Sequence, residues 1–154
     1  MNDLLWVILL SLVPVSELRG ALIYGVAKGL WMPLIVPLAI VFNIIGGILA
    51  YVFVRYIVGL FLHIGWFNRF WNHIVLRSQH KLHPAVEKYG VLGLILFVGI
   101  PLPGTGVYTA AIGSYALGFS FKRFLVASTL GVLMAAVIVT VILLSGKAAV
   151  VGFT

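Results

Sequence analysis

Six apolar runs make up most of this chain, and only two of them are long enough to cross a bilayer. Residues 34–60 and 124–144 exceed the ~20 residues that a hydrocarbon core about 30 Å thick demands of a helix. The other four, 4–13, 21–30, 90–100 and 107–121, fall short. A ten-residue helix rises only about 15 Å, half of that core. The short runs come in pairs, and each pair flanks a break: 14–20 in the first, the Pro/Gly-rich 101–106 in the second. Each pair therefore reads as a re-entrant hairpin, entering to about mid-depth, turning, and returning to the same side. Irregular backbone at that depth is stable only where protein or a water-filled cavity surrounds it. The expected fold is an all-α integral membrane protein: two re-entrant half-helix hairpins, each followed by a transmembrane helix, with an interfacial helix connecting the halves.

Composition closes the other classes. Only 8% of the residues are Asp, Glu, Lys or Arg, and 63% are hydrophobic, whereas a soluble domain carries charge at about a quarter of its positions. A soluble enzyme, a disordered segment and a coiled coil are excluded. With no cysteine there is no disulfide framework and no thiolate metal site. Residues 4–13 have the length of a signal-peptide core, yet no Lys or Arg precedes them and no small-x-small cleavage site follows. They are expected to belong to the mature protein.

The chain also reads as duplicated. Sliding it by 89 positions lays Pro14, Ala21, Ile23, Ala27 and Gly29 on Pro103, Ala110, Ile112, Ala116 and Gly118, with Gly25 on Ser114. The plan is then a single membrane domain over 1–154, with repeat 1 at 3–60, a connector at 61–87 and repeat 2 at 88–145. One crossing separates the hairpins, so the second enters from the opposite face, an inverted repeat of the kind many transporters use. Charge agrees with this layout. Arg55, Arg69, Arg77, Lys81, Lys88, Lys122 and Arg123 fall on one side and only Lys28 and Lys147 on the other. By the positive-inside rule the connector is cytoplasmic, both termini lie outside, and the membrane is the inner, plasma membrane. In the connector, Trp66, Phe67, Phe70 and Trp71 interleave with Arg69, Asn72, His73 and Arg77, the pattern of a helix lying in the interface rather than a nucleic-acid platform. His80, His83 and Glu87 invite a metal reading, but Pro84 is expected to interrupt the helix after His83, so a headgroup-facing cluster is preferred. No metal or other cofactor is expected.

Of the three acidic residues, only Glu17 is expected at membrane depth. A carboxylate there costs several kcal/mol unless it is paired or protonated, which makes it a functional candidate by default. Arg19 is the obvious partner, since in a non-helical turn positions i and i+2 can point the same way. One reading is a structural ion pair pinning the tip. The other is a switch in which protonation of Glu17 frees Arg19 to hold a substrate anion. Ser16 stands beside them, with Pro14 and Gly20 shaping the tip. At the second tip Pro101 and Pro103 remove two donors, and Gly104 and Gly106 permit unusual conformations. Thr105, Tyr108 and Thr109 add hydroxyls. A Gly-rich turn opening a half-helix presents free N–H groups to an anionic headgroup. Gly25 and Gly29 belong to a small-residue stripe for close helix packing; Asn43 and the Gly46-Gly47 pair supply a hydrogen bond and a close crossing in the first long helix.

Pro14-Val15-Ser16-Glu17-Leu18-Arg19-Gly20-Ala21 and Ile100-Pro101-Leu102-Pro103-Gly104-Thr105-Gly106 resemble the signature stretches of the small multidrug export protein family, related to the DedA/VTT superfamily of re-entrant-loop membrane proteins. The resemblance covers nearly the whole chain. It implies two facing re-entrant loops, oligomers, and movement of lipid between leaflets, including proton-linked transport of polyprenyl-phosphate carriers. By resemblance Glu17 is the acidic residue of the first loop and Arg19 the basic one. DedA proteins proper carry an arginine in the second motif, and residues 101–106 here carry none. The expected function is transport of an amphiphilic, lipid-like, anionic substrate coupled to protonation of Glu17, by a homo-oligomer, a dimer first of all. Export of lipophilic cations and a non-transporting, lipid-organising scaffold are the alternatives. An enzyme is not expected, because no nucleophile–base pair or metal set converges on the tips. The expected partners are membrane lipid, the substrate and protons, with no nucleic acid.

Overall fold

A computed structural model describes residues 2–58, 65–102 and 104–152. Pro103 lies outside them, as do the side chains of Trp66, Phe67, Phe70, Lys81, Glu87 and Lys147. Among the described residues seven α-helices follow one another: α1 (Asn2–Leu12), α2 (Glu17–Ala27), α3 (Met32–Val52), α4 (Gly65–Tyr89), α5 (Val91–Gly99), α6 (Val107–Ala116) and α7 (Phe121–Gly152). A π-helical turn, Phe53–Val58, prolongs α3. There is no strand among the described residues.

Helix length sorts the elements as the apolar runs do. Two stretches are long and apolar enough to span a membrane: Met32–Tyr56, 25 residues of mean hydropathy 2.3, and Phe121–Gly146, 26 residues of mean hydropathy 2.6. Both expose large apolar side chains outward, Leu49 and Val137 among them, as a lipid-facing surface requires. α1, α2, α5 and α6 have 11, 11, 9 and 10 residues, about 14–17 Å each at 1.5 Å per residue.

Local chemistry sets the ends. Pro33 occupies the first turn of α3, where the N–H it lacks has no intrahelical acceptor. α2 and α6 stop identically, at Gly29 (φ 68°) and Gly118 (φ 74°), in the left-handed region that glycine adopts cheaply. Leu30 N–H donates to Gly25 O at 2.9 Å, and Phe119 N–H to Ser114 O at 2.8 Å. The two stops lie 89 residues apart. So do the starts of α1 and α5, the ends of α2 and α6, and the starts of α3 and α7. The 89-residue register thus holds for element boundaries as well as for side chains.

α6 lies against α3, and α2 packs on both α3 and α7, while α1 packs on α3 and α5 on α7. The crossing of α3 and α6 needs glycine at two places on α3. A Cβ on Gly47 would run into Val107, and one on Gly46 into the Tyr108 hydroxyl, so α3 receives the first turn of α6 across bare backbone. Tyr51 closes the other end of α3, donating to Phe119 O at 2.6 Å and stacking on Phe124 at 4.8 Å.

Two sequence expectations are corrected. α2 begins at Glu17 rather than after Gly20, so the irregular stretch shrinks to a turn at 13–16. α4 runs unbroken through Pro84. An interior proline costs a helix ~3 kcal/mol, but one face of α4 is anchored: Trp71 and Val75 pack with Val54 and Ile112, and Val86 packs on the main core.

Candidate functional site

The first tip is a tight turn. Ser16 N–H and Glu17 N–H both donate to Val13 O, at 3.2 and 2.9 Å, and Gly20 N–H to Ser16 O at 3.0 Å. Glu17 has φ 52°, the only non-glycine positive φ among the described residues. For an L-residue that region costs ~1–2 kcal/mol, and strain of this kind persists only where surrounding contacts enforce it. The contact is visible: the Glu17 side chain is 8% exposed and its carboxylate lies against Gly106, where any Cβ would meet both oxygens. Oε1 accepts the Tyr108 N–H at 3.5 Å, with the Val107 N–H also in reach. Glu17 therefore sits on the N-terminus of α6, where unpaired N–H groups and the helix dipole favour negative charge.

Arg19 goes to the opposite end of the second pair. Nη1 donates to Leu102 O at 2.7 Å and Thr105 O at 2.9 Å. Nη2 donates to Val98 O, Ile100 O and Thr105 Oγ1 at 3.4, 3.2 and 3.3 Å. These carbonyls belong to the last turn of α5 and the loop that follows, where a helix leaves acceptors unpaired and favours a cation. Thr105 Oγ1 stands 2.9 Å from both Ile100 O and Leu102 O, and its single proton serves one of them at a time. The planar fork of Arg19 thus holds the second tip folded.

Glu17 and Arg19 do not hold each other. Among the described residues they form no ion pair within 4.0 Å. Because α2 begins at Glu17, the two stand on a helix, where positions i and i+2 diverge. One points at the positive end of α6 and the other at the negative end of α5. A reciprocal link runs back. The Tyr108 hydroxyl donates to Leu12 O at the end of α1, and Tyr108 is the residue 89 positions after Arg19. Each second short helix thus uses its third or second residue to close the first short helix of the other half.

Between the tips lies a cleft of about 530 Å³. Pro14, Ser16, Glu17, Arg19 and Gly20 line one wall; Pro101, Leu102, Gly104, Thr105 and Thr109 line the other. Gly106 and Tyr108 stand behind Glu17 rather than in the cleft, and Tyr108 borders a separate apolar groove with Gly46 and Trp71. Gly25 lies at the α2–α3 contact against Ile35, and Gly29 ends α2. Asn43 is buried and donates to Ser11 O at 3.2 Å, tying α3 to α1. Sequence reasoning missed the acceptors that Arg19 uses, the backbone carbonyls of residues 98–105. Backbone groups leave no mark in a sequence beyond the helix end that frees them.

The family described as "Putative small multi-drug export protein" matches the chain over residues 17–138. That span begins at Glu17, just after the turn of the first tip, and includes Arg19, the second tip, the first spanning helix and most of the second. No curated protein and no solved structure matches the chain. The match takes in well over half of the 154 residues, and with two membrane-spanning helices beside it, this chain is a membrane protein of the small multi-drug export family.

Proposed function

We propose that the protein is a transporter of an amphiphilic, anionic, lipid-like substrate, and that the substrate anion and the Glu17 carboxylate alternate at one place, the N-terminus of α6. The observation that carries this is the seat of Glu17 on the amides of Val107 and Tyr108. A charged headgroup would use the same N–H groups and the same dipole. Protonation of Glu17 removes the built-in anion and leaves the α6 amides to the substrate; deprotonation reclaims them. The element exchanged is a helix terminus, and Arg19 stays with its carbonyls throughout.

The membrane arrangement belongs to the same reading. α1–α2 and α5–α6 are two re-entrant hairpins of an inverted repeat, meeting tip to tip at mid-depth. The shared 89-residue register and the contacts of α2 with α7 and of α6 with α3 support it. The connector is cytoplasmic, the termini lie outside in the inner membrane, and the working form is a homodimer. Kinship with the DedA/VTT superfamily would place lipid-phosphate carriers in the substrate class.

The test is flux in vesicles containing purified protein, using headgroup-labelled phosphatidylglycerol. The wild type should move it faster as the pH of one compartment falls, and Glu17→Gln should make the rate independent of pH. Equal pH dependence in both would sink the proton coupling. A second reading, export of lipophilic cations held directly by the Glu17 carboxylate, takes its export role from the family's description. Ethidium moved in place of the lipid would select it, and no flux of either by intact protein would select a scaffold.

A further inference from the structure

We propose that the outward face of α4 is a binding site for the headgroup of an anionic phospholipid, separate from the cleft between the tips. Helical spacing brings His73, Leu76, Arg77 and His80 together at i, i+3, i+4 and i+7. At 100° per residue they centre on the side of α4 opposite Trp71, Val75 and Val86, the residues that pack on the protein. A recess of about 610 Å³ runs along those four side chains.

Three features identify the occupant. First, His73, Arg77 and His80 are exposed and have no hydrogen-bond or ion-pair partner among the described residues. Their N–H groups are free to take acceptor oxygens, and Arg77 matches a phosphate with two donors. Second, the apolar residue within this ring, Leu76, is 54% exposed. A leucine among cations suits a lipid, whose glycerol and acyl carbons lie next to its phosphate; a soluble anion has no use for it. Third, the charge is complementary to an anionic leaflet. Arg55, Arg69 and Lys88 are also exposed, at the end of the first spanning helix and along α4. α4 is held at the membrane body by its packing on α5 and α6, so this face cannot drift away from the lipid.

The test uses the whole protein in mild detergent with equimolar phosphatidylglycerol and phosphatidylcholine, counting bound lipids by native mass spectrometry. The wild type should retain phosphatidylglycerol preferentially. A single basic residue near an anionic surface changes affinity about fivefold, so Arg77→Ala should lower the enrichment by about that factor. At a pH where the Glu17 carboxylate holds the α6 amides, the triple variant H73A/R77A/H80A should abolish it, and Lys28→Ala, at an exposed basic residue outside α4 and the cleft, should leave it unchanged. Equal retention of the two lipids by the wild type, or undiminished enrichment in the triple variant, would overturn the proposal. So would loss of the bound lipid to millimolar inorganic phosphate, which would mark a site for soluble anions. Should the triple variant fail to fold, photocrosslinking of wild type with a headgroup-reactive phosphatidylglycerol decides. Adducts on residues 69–80 support the site, and adducts confined to the tips refute it.

Discussion

Removing Arg19 should unfold the second tip before anything else, and the size of the effect follows from its bonds. The guanidinium makes two short hydrogen bonds, at 2.7 and 2.9 Å, and three long ones, at 3.2, 3.3 and 3.4 Å. A hydrogen bond to a charged group contributes ~1.5–3 kcal/mol. The long contacts sit at the weak end, and the Leu102 and Ile100 bonds are exposed, so water would replace Arg19 there. Arg19→Ala should then cost about 1.5–3 kcal/mol, nearly all from the part-buried bond to the Thr105 carbonyl. Lysine keeps the charge but presents one nitrogen instead of a fork, so Arg19→Lys should restore about half of that loss. Equilibrium unfolding in mixed micelles with rising dodecyl sulfate, followed by tryptophan fluorescence, measures both. The cycle with Thr105→Ala adds a sharper test, because Thr105 accepts from Arg19 through its carbonyl and its hydroxyl. Side chains in one network couple by ~0.5–3 kcal/mol. Arg19→Ala within ~0.5 kcal/mol of wild type, or additivity with Thr105→Ala, would refute the clamp.

Other expectations follow from the same geometry. Tyr108→Phe removes the hydroxyl that closes α1 on Leu12 and should cost ~1 kcal/mol in the same assay; no loss would mean water caps Leu12 equally well. Asn43→Ala leaves the Ser11 carbonyl without its buried donor and should cost about 1–3 kcal/mol, read as a lower denaturation midpoint. Gly47→Val drives a branched side chain into Val107 and should cost at least ~1–3 kcal/mol, whereas Gly65→Ala, with open space around it, should be neutral or stabilising. Gly106→Ala pushes the Glu17 carboxylate off α6, so its transport should lose pH dependence as Glu17→Gln does; a wild-type profile would show that the two need not touch.

Helix length was legible in the sequence because it is a count of apolar residues against a fixed bilayer thickness. The two long and four short helices emerge near the boundaries expected. The 89-residue spacing of Gly29 and Gly118 was legible too, and both glycines take the left-handed conformation. Glu17 and Arg19 stood out because charge at membrane depth is costly. Their partners did not. Adjacency in the chain favoured a mutual pair, whereas the folded chain sends them to groups roughly 80–90 residues away, most of them backbone. A helix that starts four residues early separates i from i+2, and nothing in the 14–20 stretch announces that start beyond Leu18, which buries fully against the core. At Pro84 the local rule was overridden by packing elsewhere on α4, which sequence pattern cannot weigh.

The central claim is that a proton on Glu17 frees the first tip from the N-terminus of α6, while Arg19 keeps its carbonyls. The chain has no cysteine, so spin labels can be placed by Val15→Cys and Tyr115→Cys, two exposed positions, one on the first tip and one on α6. Their distance distribution in nanodiscs, measured by pulsed electron paramagnetic resonance at high and low pH, is the direct readout. A shift to longer distances on acidification, absent when Glu17→Gln is added, is the predicted result. Distributions that do not change with pH, or that change equally in the Glu17→Gln background, would contradict it.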